Sequence, residues 1–525
     1  MKLTILDSTL RDGLQGEGVS FSESDKRKVI LALDKLGIAY IEAGNPASNP
    51  KDADLFQSLQ GISLSHAQLV AFGSTRRKNS RADLDAGLKG LLRAGTQVVS
   101  LFGKTSPLHV RRVLETTLEE NLAMIRESVA FLKEQGRRVI YDAEHFFDGY
   151  ALDPQYALET LRAALQGGAE ILCLCDTNGA AYPADIAGMT RAAAAAFPGV
   201  CIGIHCHNDC GLAVAGSMEA VRAGASHVQG TLLGFGERCG NADLSTLIPN
   251  LQLKQGYSCI PRDCMPSLTA TARKVADIAN FSLPGNRPYV GGSAFAHKGG
   301  MHIDGVTKIP SSFEHVSPES VGNRRKFLMS EISGKSGLLA RIQKYDPSLT
   351  KTSPKTQEIL EQLKALEYRG YQFEAAEESF DLVIRRALGL QRKYFTLDHF
   401  KTIGEQPLFG RLHPSSAMVK IRVGEESQIS AAEGNGPINA LDLALRGALT
   451  HFYPSLAQVR LTDYKVRVLE SDATTAATVR VLIESTDGEH TWTTVGVSTD
   501  IIEASFLALR DSIEYKLAMD EDRQA

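Results

Sequence analysis
The run Val200-Cys-Ile-Gly-Ile-His-Cys-His-Asn-Asp209 places two histidines one residue apart at the end of an apolar, β-branched stretch. Side chains of a strand alternate between its faces, so His205 and His207 fall on one side and Cys206 on the other. Two neutral imidazoles held at a rigid strand end are good donors for a divalent transition ion. Two donors do not make a site, and the same spacing also serves an ordinary hydrogen-bonded histidine pair. Further ligands have to come from other parts of the chain.

The elements that would bring them begin at the amino terminus. Eight short apolar runs recur: Leu3 to Thr9, Ile38 to Gly44, Gln68 to Gly73, Gln97 to Gly103, Arg138 to Glu144, Glu170 to Thr177, Val200 to His207 and His227 to Gly234. Between them lie stretches of helical periodicity, such as Ser24 to Leu36 and Thr116 to Gln135, whose Leu118, Leu122, Ile125, Val129 and Leu132 form one stripe. Gly37, Gly95, Gly136, Gly168 and Gly224 each follow a predicted helix, where a left-handed cap favours glycine. Strands that are apolar on both faces and alternate with helices are parallel, and eight such units predict a closed (β/α)8 TIM barrel. A doubly wound open sheet is the alternative.

In a barrel of this kind, chemistry is done at the carboxyl ends of the strands. Those ends read Asp7 to Gln15, Glu42 to Pro46, Phe72 to Arg77, Phe102 to Lys104, Tyr141 to His145, Cys175 to Gly179, the histidine pair, and Gly234 to Ala242. Each polar residue has a structural reading of its own: Asp7 and Asp176 as helix caps, Glu144 as a surface acid, Arg76-Arg77-Lys78 as a solvated face. So many acids and histidines on a single rim favour a shared site, with Asp12 as third metal ligand and Asn241 as a fourth candidate. Magnesium, manganese and zinc all suit such mixed oxygen and imidazole donors, and an ion with open positions would act as a Lewis acid on substrate. Phe72, Phe102 and Tyr141 at strand ends would narrow a substrate pocket to a small group. The competing reading packs them into the core.

Composition narrows the class. A chain of 525 residues needs more than one core, and 43% hydrophobic with 22% charged residues describes a globular protein. A net charge of −4 without a long basic run gives no surface for nucleic acid. The amino terminus turns polar too early for a signal peptide, and no apolar stretch is long enough to span a bilayer, so a cytoplasmic protein with no membrane partner is expected. All eight cysteines lie between Cys173 and Cys264, an unsuitable distribution for a disulfide framework stapling several domains.

The motifs Asp7-Ser-Thr-Leu-Arg-Asp-Gly-Leu-Gln15, Gly203-Ile-His-Cys-His-Asn-Asp209 and Gly234-Phe-Gly-Glu-Arg-Cys-Gly-Asn-Ala242 resemble the signatures of the isopropylmalate/homocitrate/citramalate synthase family. Asn45 to Asp52, Val70 to Arg77, Ile140 to Tyr150 and Ala294 to His302 look most like the citramalate branch. The resemblance implies a metal-dependent Claisen condensation of acetyl-CoA with a 2-oxo acid, pyruvate in that branch, then thioester hydrolysis, feeding isoleucine synthesis. Isopropylmalate or homocitrate synthesis from a larger oxo acid, and an acyl-CoA lyase of the same superfamily, are the alternatives. By the same resemblance Asp12, His205 and His207 hold the ion with Asn241 close by, and Arg11 adds positive charge to the substrate oxygens. Glu144 sits beside the acetyl group, Thr177 donates to the substrate carboxylate, and His302 takes part in removing the methyl proton with Glu144 or water. One position departs from the family: Phe313 stands where a tyrosine is expected, and phenylalanine cannot donate a hydrogen bond.

Past Gln255 the β–α rhythm stops. The expected division is a barrel over 1–257, small mostly helical linker subdomains over 258–392 that contribute to the active site, and a C-terminal α+β regulatory and dimerisation domain over 393–525. A helix is expected over Tyr371 to Leu388. Strands are expected at Ala417 to Val423, Val459 to Val468, Ala477 to Ile483 and Thr491 to Ser498, with helices at Ile438 to Phe452 and Ile501 to Met519. In the family the linker subdomains cover the partner's barrel, which implies a homodimer with the active site completed in trans by His302. Ala432 to Ala440 and Thr494 to Glu503 resemble the regulatory domain of isopropylmalate synthases, which implies isoleucine as effector.

Overall fold
The computed structural model describes residues 1–298, 300–327, 335–404, 415–469 and 477–524. They divide into two compact units, the first comprising residues 1–296 and 314–326 and the second 297–313 and 327–525.

The first unit is a closed barrel of eight parallel strands in sequential order. They are β1 (Thr4–Asp7), β2 (Tyr40–Gly44), β3 (Gln68–Ser74), β4 (Val98–Lys104), β5 (Arg138–Glu144), β6 (Ile171–Asp176), β7 (Cys201–Cys206) and β8 (His227–Gly230). β1 closes the ring by pairing with both β2 and β8. Helix Glu23–Leu36 shows how local sequence fixes an element. Ser22 and Asp25 form a reciprocal capping box at its start, and Gly37 ends it in the left-handed region at φ 88°. The other four glycines predicted as caps also take positive φ.

Alternation along the strands divides side chains between two layers. Leu6, Tyr40, Val70, Val98, Ile140, Ile171, Cys173 and Cys175 cluster together inside the barrel. Ile5, Ile41, Ala71, Val99, Val139, Leu172 and Ile204 pack with the surrounding helices. Tyr141 belongs to this outer layer, fully buried, with its ring against the backbone at Gly103. It therefore does not line a pocket at the barrel mouth. The period of two that points Ile140 and Asp142 inward turns Tyr141 outward.

β8 stops at Gly230, short of the expected Gly234. The Leu232 amide is taken by Asp7 Oδ2 (3.1 Å) and Thr9 Oγ1 (2.8 Å), and Leu233 adopts φ 65°. Asp7 thus terminates β8 rather than capping a helix. The loop then folds back so that Asn241 bridges His207 and Asp243 bridges Thr231.

The second unit contains two three-stranded antiparallel sheets. The first holds β9 (Thr396–Gly404), β10 (Ser415–Val423) and β11 (Glu426–Gly434), followed by helix Pro437–Thr450. The second holds β12 (Arg460–Val468), β13 (Val479–Thr486) and β14 (Thr491–Ser498), followed by helix Ile501–Gln524. The domain is thus a β-β-β-α pattern used twice, with Val419, Ile421, Leu445, Val481, Ile483, Trp492 and Leu509 in its core. β9 and β11, whose polar alternation hides them in the sequence, complete the first sheet. The helix expected from Tyr371 begins only at Glu377, after a short turn at Phe373–Ala375, because Ala376 leaves the helical region at φ −142°.

Candidate functional site
At the carboxyl end of the barrel, Asp12, His205 and His207 bring one carboxylate oxygen and two imidazole nitrogens within 4.8 Å of one another. Asp12 Oδ2 lies 3.4 Å from His205 Nε2 and 3.8 Å from His207 Nε2, and all three side chains are buried. Asp12 reaches this place because the chain turns at residues 9–12 right after β1, with the Arg11 and Gly13 amides both donating to Ser8 O, and Asp12 then opens the short 3-10 helix Gly13–Gln15. Cys206, between the histidines, faces the opposite way, its sulfur near Gly216 of helix Ala213–Arg222.

The electrostatics suit a cation. Burial alone would raise the Asp12 carboxyl, but the Arg11 guanidinium and the two histidines outweigh it and hold Asp12 far below the usual carboxylate range. Burial, with His205 beside it, pushes His207 down to about 4, so this ring is a neutral donor near pH 7. Burial also opposes charge on His205, and there the Asp12 carboxylate prevails and raises it. Asn241, joined to His207 by the backbone bridge, donates its Nδ2 to Phe235 O (3.0 Å) and leaves Oδ1 buried without a hydrogen-bond partner among the described residues. A carboxylate and two imidazoles in a buried cluster are a donor set that fits a divalent ion, and the orphan acceptor on Asn241, bridged to His207 through the backbone, is the further oxygen at this rim.

Around this centre the structure assembles groups that sequence reasoning did not select. Glu42, out of solvent on β2, accepts from Arg11 Nε and from Ser8 Oγ, both at 2.6 Å on Oε2. A register shift in the β2–β3 pairing between Glu42 and Gly44 lies at this point. Arg11 also lies 3.3 Å from Asp12 and stacks 3.8 Å from the centroid of Phe72, whose ring stacks on Phe102 at 5.2 Å. Phe72 thus covers the guanidinium and Phe102 in turn covers Phe72, where Tyr141 is absent. Beneath, His205 Nδ1 meets Gln229 Oε1 at 3.1 Å, Gln229 Nε2 donates to Asp142 Oδ1 at 2.8 Å, and Ser100 Oγ donates to Asp142 Oδ2 at 2.5 Å. The signal for Ser100 and Asp142 was present: each lies two residues before a chosen strand-end residue, Phe102 or Glu144, on the same face.

Glu144 pairs with Lys104, and Lys104 Nζ lies 5.9 Å from the Phe102 centroid. Thr177 Oγ1 accepts from the His145 amide at 2.8 Å, which leaves its own hydrogen to donate. His145 makes this contact from the left-handed region, at φ 59°. Arg238 donates to Asp209 from two nitrogens (2.7 and 3.0 Å) and to Thr177 O (2.8 Å), tying the loops after β6, β7 and β8 together. His302 belongs to the second unit, exposed on helix Gly300–Lys308, with its ring stacked on Phe313 at 4.2 Å.

Asp142, Cys173 and Cys175 form another convergence of donor atoms. Both Asp142 oxygens are engaged as above, and burial pushes the Cys173 thiol well above its ordinary value, so it stays protonated. All eight cysteines are free.

A closed parallel barrel with a carboxylate and two imidazoles converging at its carboxyl rim defines a metal-dependent (β/α)8 enzyme. The chain belongs to the HMGL-like family, whose model matches residues 2–278. Two further models match beyond it: the homocitrate synthase post-HMGL domain-like family over 289–370 and the LeuA allosteric (dimerisation) domain over 374–517. Within that family it stands among the isopropylmalate/homocitrate/citramalate synthases, beside the citramalate branch. It is 50% identical over 521 residues to the (R)-citramalate synthase of Aquifex aeolicus (strain VF5), with 99% of each chain covered. It is 48% identical over 530 residues to the (R)-citramalate synthase of Synechocystis sp., covering 98% of this chain and 96% of that one. A probable 2-isopropylmalate synthase of Methanosarcina mazei is 31% identical over 513 residues, with 97% and 94% covered. Among the described residues no helix is long and apolar enough to cross a membrane.

Proposed function
We propose that this chain condenses acetyl-CoA with pyruvate and hydrolyses the resulting thioester, forming citramalate. The observation that carries the reading is the Asp12–His205–His207 triad at the barrel rim, in a chain half identical along its whole length to an (R)-citramalate synthase. Asp12, His205 and His207 would hold the divalent ion, with Asn241 Oδ1 as the nearby oxygen. Bound there, the ion supplies Lewis-acid polarisation of the oxo acid and stabilises negative charge on its ketone oxygen.

The chain's own residues do the rest. Arg11, fixed by Glu42, presents positive charge to the same oxygens. Phe72 and Phe102 limit the space beside it, which favours a methyl group, although discrimination by apolar volume is worth only about 1–3 kcal/mol per methylene. Thr177, with its oxygen already bonded to the His145 amide, directs its hydrogen to the substrate carboxylate. Glu144, held by Lys104, faces the acetyl group, and His302, reaching the barrel of a partner copy, assists in taking the methyl proton. Phe313 gives that imidazole an aromatic support in place of the expected phenol. Residues 258–392 carry this contribution in trans, and 393–525 dimerise and bind isoleucine as end-product effector.

The deciding experiment is thiol release from acetyl-CoA against a panel of 2-oxo acids. Pyruvate is expected to give the highest kcat/KM. A preference for 2-oxoisovalerate overturns the substrate assignment, and no thiol release with any oxo acid overturns the condensation. Isoleucine is expected to inhibit at millimolar concentration; activity unmoved by both isoleucine and leucine removes the effector role.

A further inference from the structure
Gln229 of β8 stands opposite His205 of β7 in the strand register. Its amide is held at both ends, by Asp142 Oδ1 at 2.8 Å and by His205 Nδ1 at 3.1 Å. Asp142 is on β5, with β6 and β7 between it and β8, so the Gln229–Asp142 bond crosses the barrel interior. Ser100 of β4 holds the other Asp142 oxygen, and all four side chains are buried.

The chemistry of the groups fixes the direction of these bonds. Gln229 turns its NH2 group to Asp142 Oδ1, the oxygen that Ser100 leaves open, and that oxygen accepts from it. That turns the Gln229 carbonyl toward His205. A carbonyl only accepts, so His205 must carry a proton on Nδ1, and Nε2, 3.4 Å from Asp12 Oδ2, is the nitrogen left to bind a metal ion beside that carboxylate.

We infer that the Ser100–Asp142–Gln229 chain selects the metal-binding tautomer of His205, with Gln229 as a positioning residue. This rests on the metal site proposed above. A carboxylate placed directly against the imidazole would orient it equally well. It would also add negative charge to a buried layer that already contains Glu42 and Asp142. The amide transmits the orientation without a charge.

The test is cobalt(II) binding to the full chain, by competition with a chromogenic chelator and by the visible spectrum of the loaded protein. Gln229→Met keeps the side-chain length and removes both hydrogen bonds. It is expected to weaken binding by about 10- to 100-fold and shift the ligand-field bands. The double variant Gln229→Glu/Asp142→Asn exchanges amide and carboxylate while still giving His205 Nδ1 an acceptor. It is expected to recover affinity to within about threefold of the original. Wild-type affinity in a folded Gln229→Met protein overturns the inference. So does a double variant that binds no better than Gln229→Met or, should that protein not fold, about 10-fold or more below the original chain. An original chain that takes up no cobalt overturns the metal-site reading instead.

Discussion
Replacing Glu42 by Gln tests how the site holds its positive charge. Glu42 is wholly buried, and its Oε2 carries both the Arg11 Nε contact and the Ser8 hydroxyl at 2.6 Å. Two unit charges about 4 Å apart at an effective dielectric near 20 attract by about 4 kcal/mol. Part of that is offset in the variant, because stripping hydration from a neutral amide costs less than stripping it from a carboxylate. The amide keeps one acceptor of ordinary strength, so a net loss of about 1.5–3 kcal/mol is expected at the guanidinium. Arg11 then has Asp12, at 3.3 Å, as its remaining charged partner and turns toward it, away from Phe72. In steady-state thiol-release assays kcat/KM for pyruvate should fall by roughly 10- to 150-fold, with kcat lowered as well as KM raised. KM for acetyl-CoA should move by less than about threefold. A kcat/KM for pyruvate within about threefold of the original, or a loss shared equally between both substrates, would refute the assignment of Arg11 to the oxo acid.

His207→Ala should abolish metal-dependent activity and lower divalent-ion affinity in chelator competition while circular dichroism still reports a folded chain; retained affinity would remove His207 from the ligand set. Lys104→Gln frees Glu144 from its ion pair and should lower kcat by about tenfold, and an equal fall in metal affinity would show that the pair supports the metal centre instead. Asp7 supplies a pH signature of stability. Burial pushes its carboxyl up to about 6 in the folded chain, against 3.8 as the ordinary value. Between those values the unfolded chain has released the proton that the folded chain keeps, so stability falls as pH rises through this window, by on the order of 3 kcal/mol. Asp7→Asn should flatten the pH dependence of the denaturant midpoint between about pH 4 and pH 6, and an unchanged slope would contradict the shift.

The barrel was legible because its two periodicities are local: β-branched runs, helical stripes and capping glycines each report on a few neighbouring residues. The same holds for His205 and His207, whose spacing on one strand already puts them on one face. Asp12 needed the closure of the barrel as well, since no local pattern brings a residue after β1 beside one at the end of β7. Where reading failed, a strand end was treated as a place rather than as a face. Tyr141, chosen for its position, points to the helices, and Asp142, one residue on and passed over, points into the barrel. β9 and β11 were missed for a related reason: their alternation is polar enough that only pairing with β10 defines them.

Gln229 marks a deeper limit. Nothing in His-Val-Gln-Gly distinguishes it from any polar residue in a short strand, because its significance lies in the polarity of two bonds made to β7 and, across the barrel interior, to β5. A ligand can be recognised from its own type and spacing. The residue that decides which nitrogen of that ligand is free can be recognised only when the bonds on both sides of it are known.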